Sequence, residues 1–471
     1  MGRVGADELR GARVVVMGLG AHGGGAASAR YCAEAGAKVT VTDLRDETDL
    51  ADSIERLSDL PIRFVLGRHD VADFRSADIV VKNPAVRRDV GLLREARRIE
   101  TDISLFLRAH RGPVLAITGT KGKSTTASAL HHILAESHPD VRLGGNITVS
   151  PLSFAGELKG GEPVVLELSS FQLGDLLLTP VAAGATAAFT VSAVTNIMPD
   201  HQDYYASMDD YAADKAVIFS SQRPDSWCLL SADDRWSRGY RPGHPDRTVR
   251  VTSGSWTGRD GADAGFREGW GVLGLPDRDD PIRLVDPASR AGGVHQRTNL
   301  LYAAAAALLF GVSAETVRRR ARDFPGIAHR LELVAESGGL RFVNDSAATI
   351  AEATLAAVAS FAEPVHLIAG GSDKGVPVEA FERATREARS IHLLEGTATD
   401  RIVALLDSRG LEYQGPYGRL EEAFEGAVAT ARNGEIVLLS PGCASFGMFR
   451  NEFDRGEQFR ALVARRAAVV E

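Results

Sequence analysis

The stretch Gly119-Thr120-Lys121-Gly122-Lys123-Ser124-Thr125 constrains this chain more than any other. It follows a short apolar run, Val114-Leu115-Ala116-Ile117, and precedes a segment from Thr126 to Glu136 that reads as a helix. A strand, a glycine-rich turn and a helix in that order make a phosphate cradle. Backbone N–H groups face the anion, and the helix dipole favours negative charge there. Lys123 can neutralise a transferred phosphoryl group, and the hydroxyl of Ser124 or Thr125 can reach a Mg²⁺ ion. The common P-loop has a glycine where Ile117 stands, so this is a variant with its first glycine moved inward. The alternative is a surface turn carrying two solvated lysines, and the flanking strand and helix count against it.

A second glycine motif lies upstream. Gly18-x-Gly20-x-x-Gly23 follows Arg13-Val14-Val15-Val16-Met17 and leads into a helical stretch through Glu34. Asp43 closes the next apolar run, Lys38 to Thr42, at the spacing of a dinucleotide-binding unit. An acidic side chain there can accept hydrogen bonds from a ribose. NAD is the obvious ligand, yet any nucleoside diphosphate, UDP included, fits the same geometry. A tight turn that binds nothing is the other reading.

Apolar runs bounded by turn residues recur at Ile79–Val81, Val164–Leu168, Phe189–Ile197, Leu340–Val343, Val365–Ala369, Ile391–Leu394 and Ile436–Leu439. Helical segments separate them, which is the pattern of an α/β protein with parallel sheets. A chain of 471 residues accommodates three such units, expected at 1–110, 111–325 and 326–471. The Gly-, Asp-, Arg- and Trp-rich region from 231 to 284 reads as β-hairpins and loops inserted in the second unit.

Composition limits the partners. A net charge of −8 argues against a nucleic-acid binder, which presents a basic face. No run approaches the ~20 apolar residues of a membrane span, and the Ala-rich stretch from Leu300 to Phe310 reads as a buried helix. Cys32, Cys228 and Cys443 show neither a CxxC pair nor zinc spacing. A reducing cytoplasm is expected. The start, Met1-Gly2-Arg3, lacks the apolar core of a secretory leader and points the same way.

Further residues carry chemistry. Glu167 ends an apolar run, so its carboxylate is expected at the crevice end of a parallel sheet as a Mg²⁺ ligand. Asp200 and His201 follow another run. Lys215 lies in a helical segment, Asp210 to Phe219, and taken alone reads as a solvated lysine.

Together these motifs resemble the Mur ligase family. Gly144-Gly145-Asn146-Ile147, Glu167 to Leu173, Asp200-His201, Asp214-Lys215-Ala216, His295 to Asn299, His329-Arg330, Asn344-Asp345-Ser346 and Ser440 to Ser445 follow the family's order through essentially the whole chain. The resemblance implies a Rossmann-like N-terminal domain holding UDP, a P-loop-type central domain binding ATP, and a Rossmann-like C-terminal domain bringing an amino acid. The implied activity is ATP- and Mg²⁺-dependent ligation in peptidoglycan precursor synthesis by a cytoplasmic monomer. It would join glutamate to UDP-N-acetylmuramoyl-L-alanine through an acyl phosphate.

Carried over by motif, Gly119, Thr120, Lys121, Gly122, Lys123, Ser124 and Thr125 hold the ATP phosphates. Asn299 and Arg330 contact ATP, and Asp345 contacts its ribose. Ser124, Glu167 and His201 bind Mg²⁺. Lys215 matches the lysine that the family carbamylates with CO₂ to make a metal-side ligand. Gly18, Gly20 and Asp43 hold UDP, and Asn146 lies near the substrate. Lys374, Ser445 and Phe446 line the glutamate pocket. Lys123, His201 and Lys215 form the catalytic set, with His201 either a base for the glutamate amine or a metal-linked group.

The sequence also departs from the family. Many members that add D-glutamate carry a lysine after Asn-Asp-Ser, where this chain has Ala347, and Ile350 also differs. Losing that cation removes a charge-assisted bond to a dicarboxylate. D-glutamate is the expected substrate, with the family's L-glutamate-adding variant as the alternative. Asn83-Pro84-Ala85 replaces a serine-proline-glycine turn, and Asp43-Leu44-Arg45 replaces a more polar run at the uracil. An NAD-dependent dehydrogenase would leave the second loop, Glu167 and Lys215 unexplained. A folylpolyglutamate synthase would leave the N-terminal loop unused, and a non-enzymatic scaffold would leave the metal-ligand set unused.

Overall fold

Apolar runs with both faces covered become the strands of three sheets in the computed structural model. It describes residues 6–20, 23–146, 149–180, 189–258, 261–276, 278–289, 293–373, 375 and 377–470. The first sheet holds β1 (Arg13–Met17), β2 (Lys38–Asp43), β3 (Arg63–Leu66), β4 (Ile79–Lys82) and β5 (Ile99–Glu100) in the order β3-β2-β1-β4-β5. All its pairings are parallel. The order reverses at β1, so the glycine-rich turn after Met17 opens at a switch point, where α/β sheets bind ligands.

The second sheet has nine strands. Its parallel part contains β6 (Val114–Thr118), β7 (Arg142–Gly145), β8 (Val164–Glu167), β9 (Phe189–Val194), β10 (Trp227–Ser231) and β11 (Thr248–Ser255). β6 lies between β9 and β8. The carboxyl ends of three neighbouring strands therefore deliver the Gly119 loop, Glu167 and Thr195-Asn196 to one edge.

The region from 231 to 284 corrects the expectation of an insertion. After β11 come β12 (Ala264–Arg267), β13 (Trp270–Leu273) and β14 (Ile282–Val285), and the order β14-β13-β12-β11-β10 makes them one flank of the same sheet. The hairpins are real, since β12–β13 and β13–β14 pair antiparallel. Alternating runs such as Trp270–Leu273 show hairpin character but not the sheet they join.

The third sheet runs β15-β16-β20-β17-β18-β19. Its members are β15 (Glu332–Ser337), β16 (Leu340–Asn344), β17 (Val365–Gly370), β18 (Ser390–Leu394), β19 (Gln414–Tyr417) and β20 (Ile436–Leu439). Only β15–β16 is antiparallel. The chain divides into two compact units, residues 1–287 with 298–322, and residues 288–297 with 323–471. The first unit holds the first two sheets. Among the described residues no helix is long and apolar enough to cross a membrane. The Ala-rich stretch lies in the helix Gly293–Phe310, with Leu300 to Ala307 buried. All three cysteines are free and buried.

The third sheet carries a buried polar cluster at the start of its strands. His366 Nε2 lies 2.8 Å from Glu435 Oε2 and its Nδ1 2.8 Å from Ser390 Oγ, which in turn lies 2.9 Å from His392 Nε2. His392 is fully buried, with no hydrogen-bond partner at Nδ1. Burial, and then the neighbouring His366, push its pKa down to about 4. The unfolded chain therefore binds this proton more readily than the folded one. The stabilisation is complete above the unfolded pKa of about 6.5 and is lost as pH falls toward 4, with a slope of up to about 1.4 kcal/mol per pH unit. Urea unfolding of the second unit should show a midpoint that falls from pH 7 to pH 5, with a flatter profile in His392→Gln. Equal slopes in both proteins would contradict the assignment.

Candidate functional site

The phosphate loop leaves β6 at Thr118 and turns on two glycines. Gly119 has φ +145°, and a Cβ there would stand 2.0 Å from Thr195 Oγ1. Gly122, at φ +81°, precedes the helix Lys123–Leu134, and a Cβ there would stand 2.2 Å from Asn299 Oδ1. Both positions combine a left-handed backbone with no room for a side chain. Asn196 fixes the turn between them. Its carbonyl accepts from Thr120 N at 2.8 Å, and its Oδ1 accepts from Lys121 N at 2.9 Å. Thr120 Oγ1 faces inward, 3.0 Å from the Tyr211 hydroxyl. Ser124 and Thr125 lie in the first turn of the helix Lys123–Leu134, where backbone N–H groups have no acceptor within the helix and can take an anion. Lys123 Nζ folds back onto the carbonyls of Gly119 (3.1 Å) and Thr120 (2.9 Å). Lys121 is exposed and lies 3.7 Å from Asp200.

Glu167 is the last residue of β8 and is buried. Its Oε1 accepts from Asn146 Nδ2 at 3.0 Å, while Oε2 has no hydrogen-bond partner. A buried carboxylate oxygen without a partner is costly unless a cation compensates it. Among the described residues no three His, Cys, Asp or Glu side chains gather closely enough to hold a metal alone. Mg²⁺ suits such a place, because it takes one or two carboxylates, phosphate oxygens and water.

Lys215 corrects the expectation of a solvated lysine. Its helix, Met208–Ala216, turns it inward, and it is only 1% exposed. Nζ donates to the Gly119 carbonyl at 2.9 Å and sits 4.7 Å from the centre of the Tyr211 ring. Burial, and then the like charge of Lys123, push its pKa well below that of an ordinary lysine, against the pull of Asp200, Asp214 and Glu167. His201 is exposed at φ +51°, its ring 4.8 Å from that of Phe171.

At the upstream loop, Asp43 is turned toward its own backbone. Oδ2 accepts from Gly20 N at 3.2 Å and Oδ1 from Arg45 N at 3.0 Å. Burial pushes its carboxyl up, but those N–H groups and the Arg45 guanidinium outweigh it and leave the pKa lowered. Gly18 accepts through its carbonyl from Asn83 Nδ2 at 3.1 Å.

The second unit carries the remaining sequence candidates. Arg330 is exposed. Asp345 is buried, accepting from Leu331 N at 3.1 Å and Ser440 Oγ at 2.8 Å, and burial raises its pKa to about 6. Ser445 is buried and Phe446 exposed. Lys374 lies outside the described residues. In the first unit, the structure brings Gly119 to Thr125, Asn146, Glu167, Asn299 and Lys215 together. Sequence reasoning missed Asn196 and Tyr211. Tyr211 stands four residues before Lys215, a spacing that puts both on one helix face. Asn196 carries no such signal.

The family description "Mur ligase middle domain" matches residues 117–307, and "Mur ligase MurD-like, N-terminal domain" matches residues 12–104. The chain is 42% identical to a Roseiflexus sp. (strain RS-1) protein named UDP-N-acetylmuramoylalanine–D-glutamate ligase, covering 97% of this chain and 99% of that one. It is 38% identical to a Treponema pallidum (strain Nichols) protein of the same name, over 97% and 98% of the two chains. Among solved structures, UDP-N-acetylmuramate-alanine ligase MurC from Thermotoga maritima shares the fold at a TM-score of 0.57 and 18% identity, over 97% of this chain and all of that one. With the phosphate loop, Glu167 and the buried Lys215 at one sheet edge, and relatives this similar along its whole length, the chain belongs to the Mur ligase family.

Proposed function

We propose that this protein joins D-glutamate to UDP-N-acetylmuramoyl-L-alanine at the expense of ATP, as a cytoplasmic monomer in peptidoglycan precursor synthesis. The observation that carries this reading is the 42% identity, end to end, with a ligase named for that reaction. The relatives' names specify D-glutamate, which favours it over the L-isomer despite Ala347. Residues 1–110 take UDP, 111–325 ATP and 326–471 glutamate. A dehydrogenase reading gives no task to the orphan oxygen of Glu167.

The reaction runs in two steps. The L-alanyl carboxylate attacks the γ-phosphorus of ATP, the bond to the bridging oxygen breaks, and ADP leaves an acyl phosphate. Lys123 and the N–H groups of Lys123, Ser124 and Thr125 stabilise charge on the transferred group. Glutamate's amine then attacks the activated carbonyl, and the tetrahedral intermediate expels phosphate. His201, open to solvent, takes the amine proton when it is not a metal ligand. Glu167 through Oε2, Ser124 through its hydroxyl and His201 would hold Mg²⁺, which when bound neutralises phosphate charge. Burial favours the neutral amine of Lys215, the form that adds CO₂, and a carbamate there would put an anionic ligand beside the loop. Asn299, Arg330 and Asp345 serve ATP; Gly18, Gly20 and Asp43 serve UDP; Asn146 serves the substrate; Lys374, Ser445 and Phe446 serve glutamate.

Incubation with Mg-ATP, UDP-N-acetylmuramoyl-L-alanine and glutamate should yield a nucleotide heavier by one glutamyl residue, with one phosphate released per product. ATP binding without such a product would overturn the reading.

A further inference from the structure

The segment after β4 ties the two sheets of the first unit together through ions. Lys82, the last residue of β4, is wholly buried, and its ammonium lies 2.5 Å from the equally buried Asp175. Six residues on, Arg88 makes a two-pronged pair with Asp214, Nη1 to Oδ1 at 3.1 Å and Nη2 to Oδ2 at 2.5 Å. The Tyr205 hydroxyl donates to the same carboxylate at 2.9 Å. Asp175 and its neighbour Gly174 belong to the helix Ser170–Leu176, and Asp214 to the helix Met208–Ala216. Gly174 lets them meet, since a Cβ there would stand 2.4 Å from Asp214 Oδ2 and 2.6 Å from Arg88 Nη1. Three chain segments thus converge on one carboxylate, which is 6% exposed.

The next residue after Asp214 is Lys215, whose Nζ is held against the phosphate loop at Gly119. At the other end, Asn83 lies between Lys82 and Arg88 and binds the carbonyl of Gly18 in the upstream glycine loop. One short segment therefore touches the N-terminal nucleotide loop and anchors the helix that carries Lys215.

We propose that Arg88, acting through Asp214, is a positioning residue for ligation: it fixes the helix Met208–Ala216, and so the Lys215 side chain, relative to both loops. The inference rests on the ligase reading. A bidentate guanidinium–carboxylate pair suits this task because it fixes orientation as well as distance. A displacement of about 1 Å at a reacting group costs up to about 10²-fold in rate.

The test uses the full chain with Arg88→Met, Asp214→Asn and the double variant. Single-turnover product formation is followed with enzyme in excess, and hydrogen exchange is measured by helix. At a saturating excess of enzyme, loss of part of the folded protein changes neither the amplitude, which the limiting substrate sets, nor the rate constant, whereas mispositioning lowers the rate constant. The rate constant of Arg88→Met should fall about 10- to 100-fold at unchanged amplitude. The double variant should be no slower than the slower single one. Exchange should rise in 208–216 and stay unchanged in 123–134. A rate constant within twofold of wild type, or additive effects in the double variant, would overturn the proposal. If the wild-type protein makes no product, the ligase reading has failed. Exchange then decides, and unchanged exchange in 208–216 would sink the anchoring role as well.

Discussion

Lys123→Ala lowers phosphate release by about 10³-fold, equivalent to about 4 kcal/mol of transition-state stabilisation, and leaves thermal unfolding nearly unchanged. The size follows from where the ammonium sits. It crosses the loop between the carbonyls of Gly119 and Thr120, at the start of a helix whose first N–H groups face the same space. As charge shifts onto the transferred phosphoryl group, this cation responds without solvent reorganisation. The fold tolerates its loss because its bonds to the two carbonyls are made at the surface of the loop and not in the core. Lys123→Arg should recover little, since a planar guanidinium does not replace a compact point charge. The check is steady-state phosphate release alongside a thermal melt. A loss of less than tenfold in a folded protein would remove Lys123 from the mechanism.

The second large effect is on stability. Lys82→Met should destabilise the first unit by about 3–5 kcal/mol, because it leaves the Asp175 carboxylate buried and uncompensated. Asp175 Oδ1 already has no hydrogen-bond partner, and burial raises its pKa to about 6 despite the ammonium beside it. The double variant Lys82→Met/Asp175→Ala removes both charges and should be more stable than Lys82→Met alone. Denaturant midpoints of the three proteins check this. A double variant less stable than the single one would show that the pair is not the source of the cost.

Much of this could be read in the sequence, for identifiable reasons. Strands buried on both faces, such as β6 and β20, appear as unbroken apolar runs. The short edge strands β5 and β19 do not, since a two-residue strand or a run like Gln-Gly-Pro-Tyr has no apolar signature. The phosphate loop was legible because its glycines mark left-handed turns between an apolar strand and a helix, a pattern carried by the local sequence. Glu167 was legible from its place at a strand end. The burial of Lys215 was not, because the Gly119 carbonyl that meets its ammonium comes from a segment 96 residues away in the chain. The Arg88–Asp214 pair joins residues far apart in the chain, and no local pattern announces it. Asp43 was legible as a position, but its carboxylate turns to Gly20 and Arg45, which only the fold shows.

The most direct test of the central claim is phosphate release with Mg-ATP and UDP-N-acetylmuramoyl-L-alanine, with D-glutamate and L-glutamate in separate reactions. Stoichiometric release with D-glutamate, and none above background with L-glutamate, is the expected result. Release with L-glutamate alone, or with neither, would contradict the account.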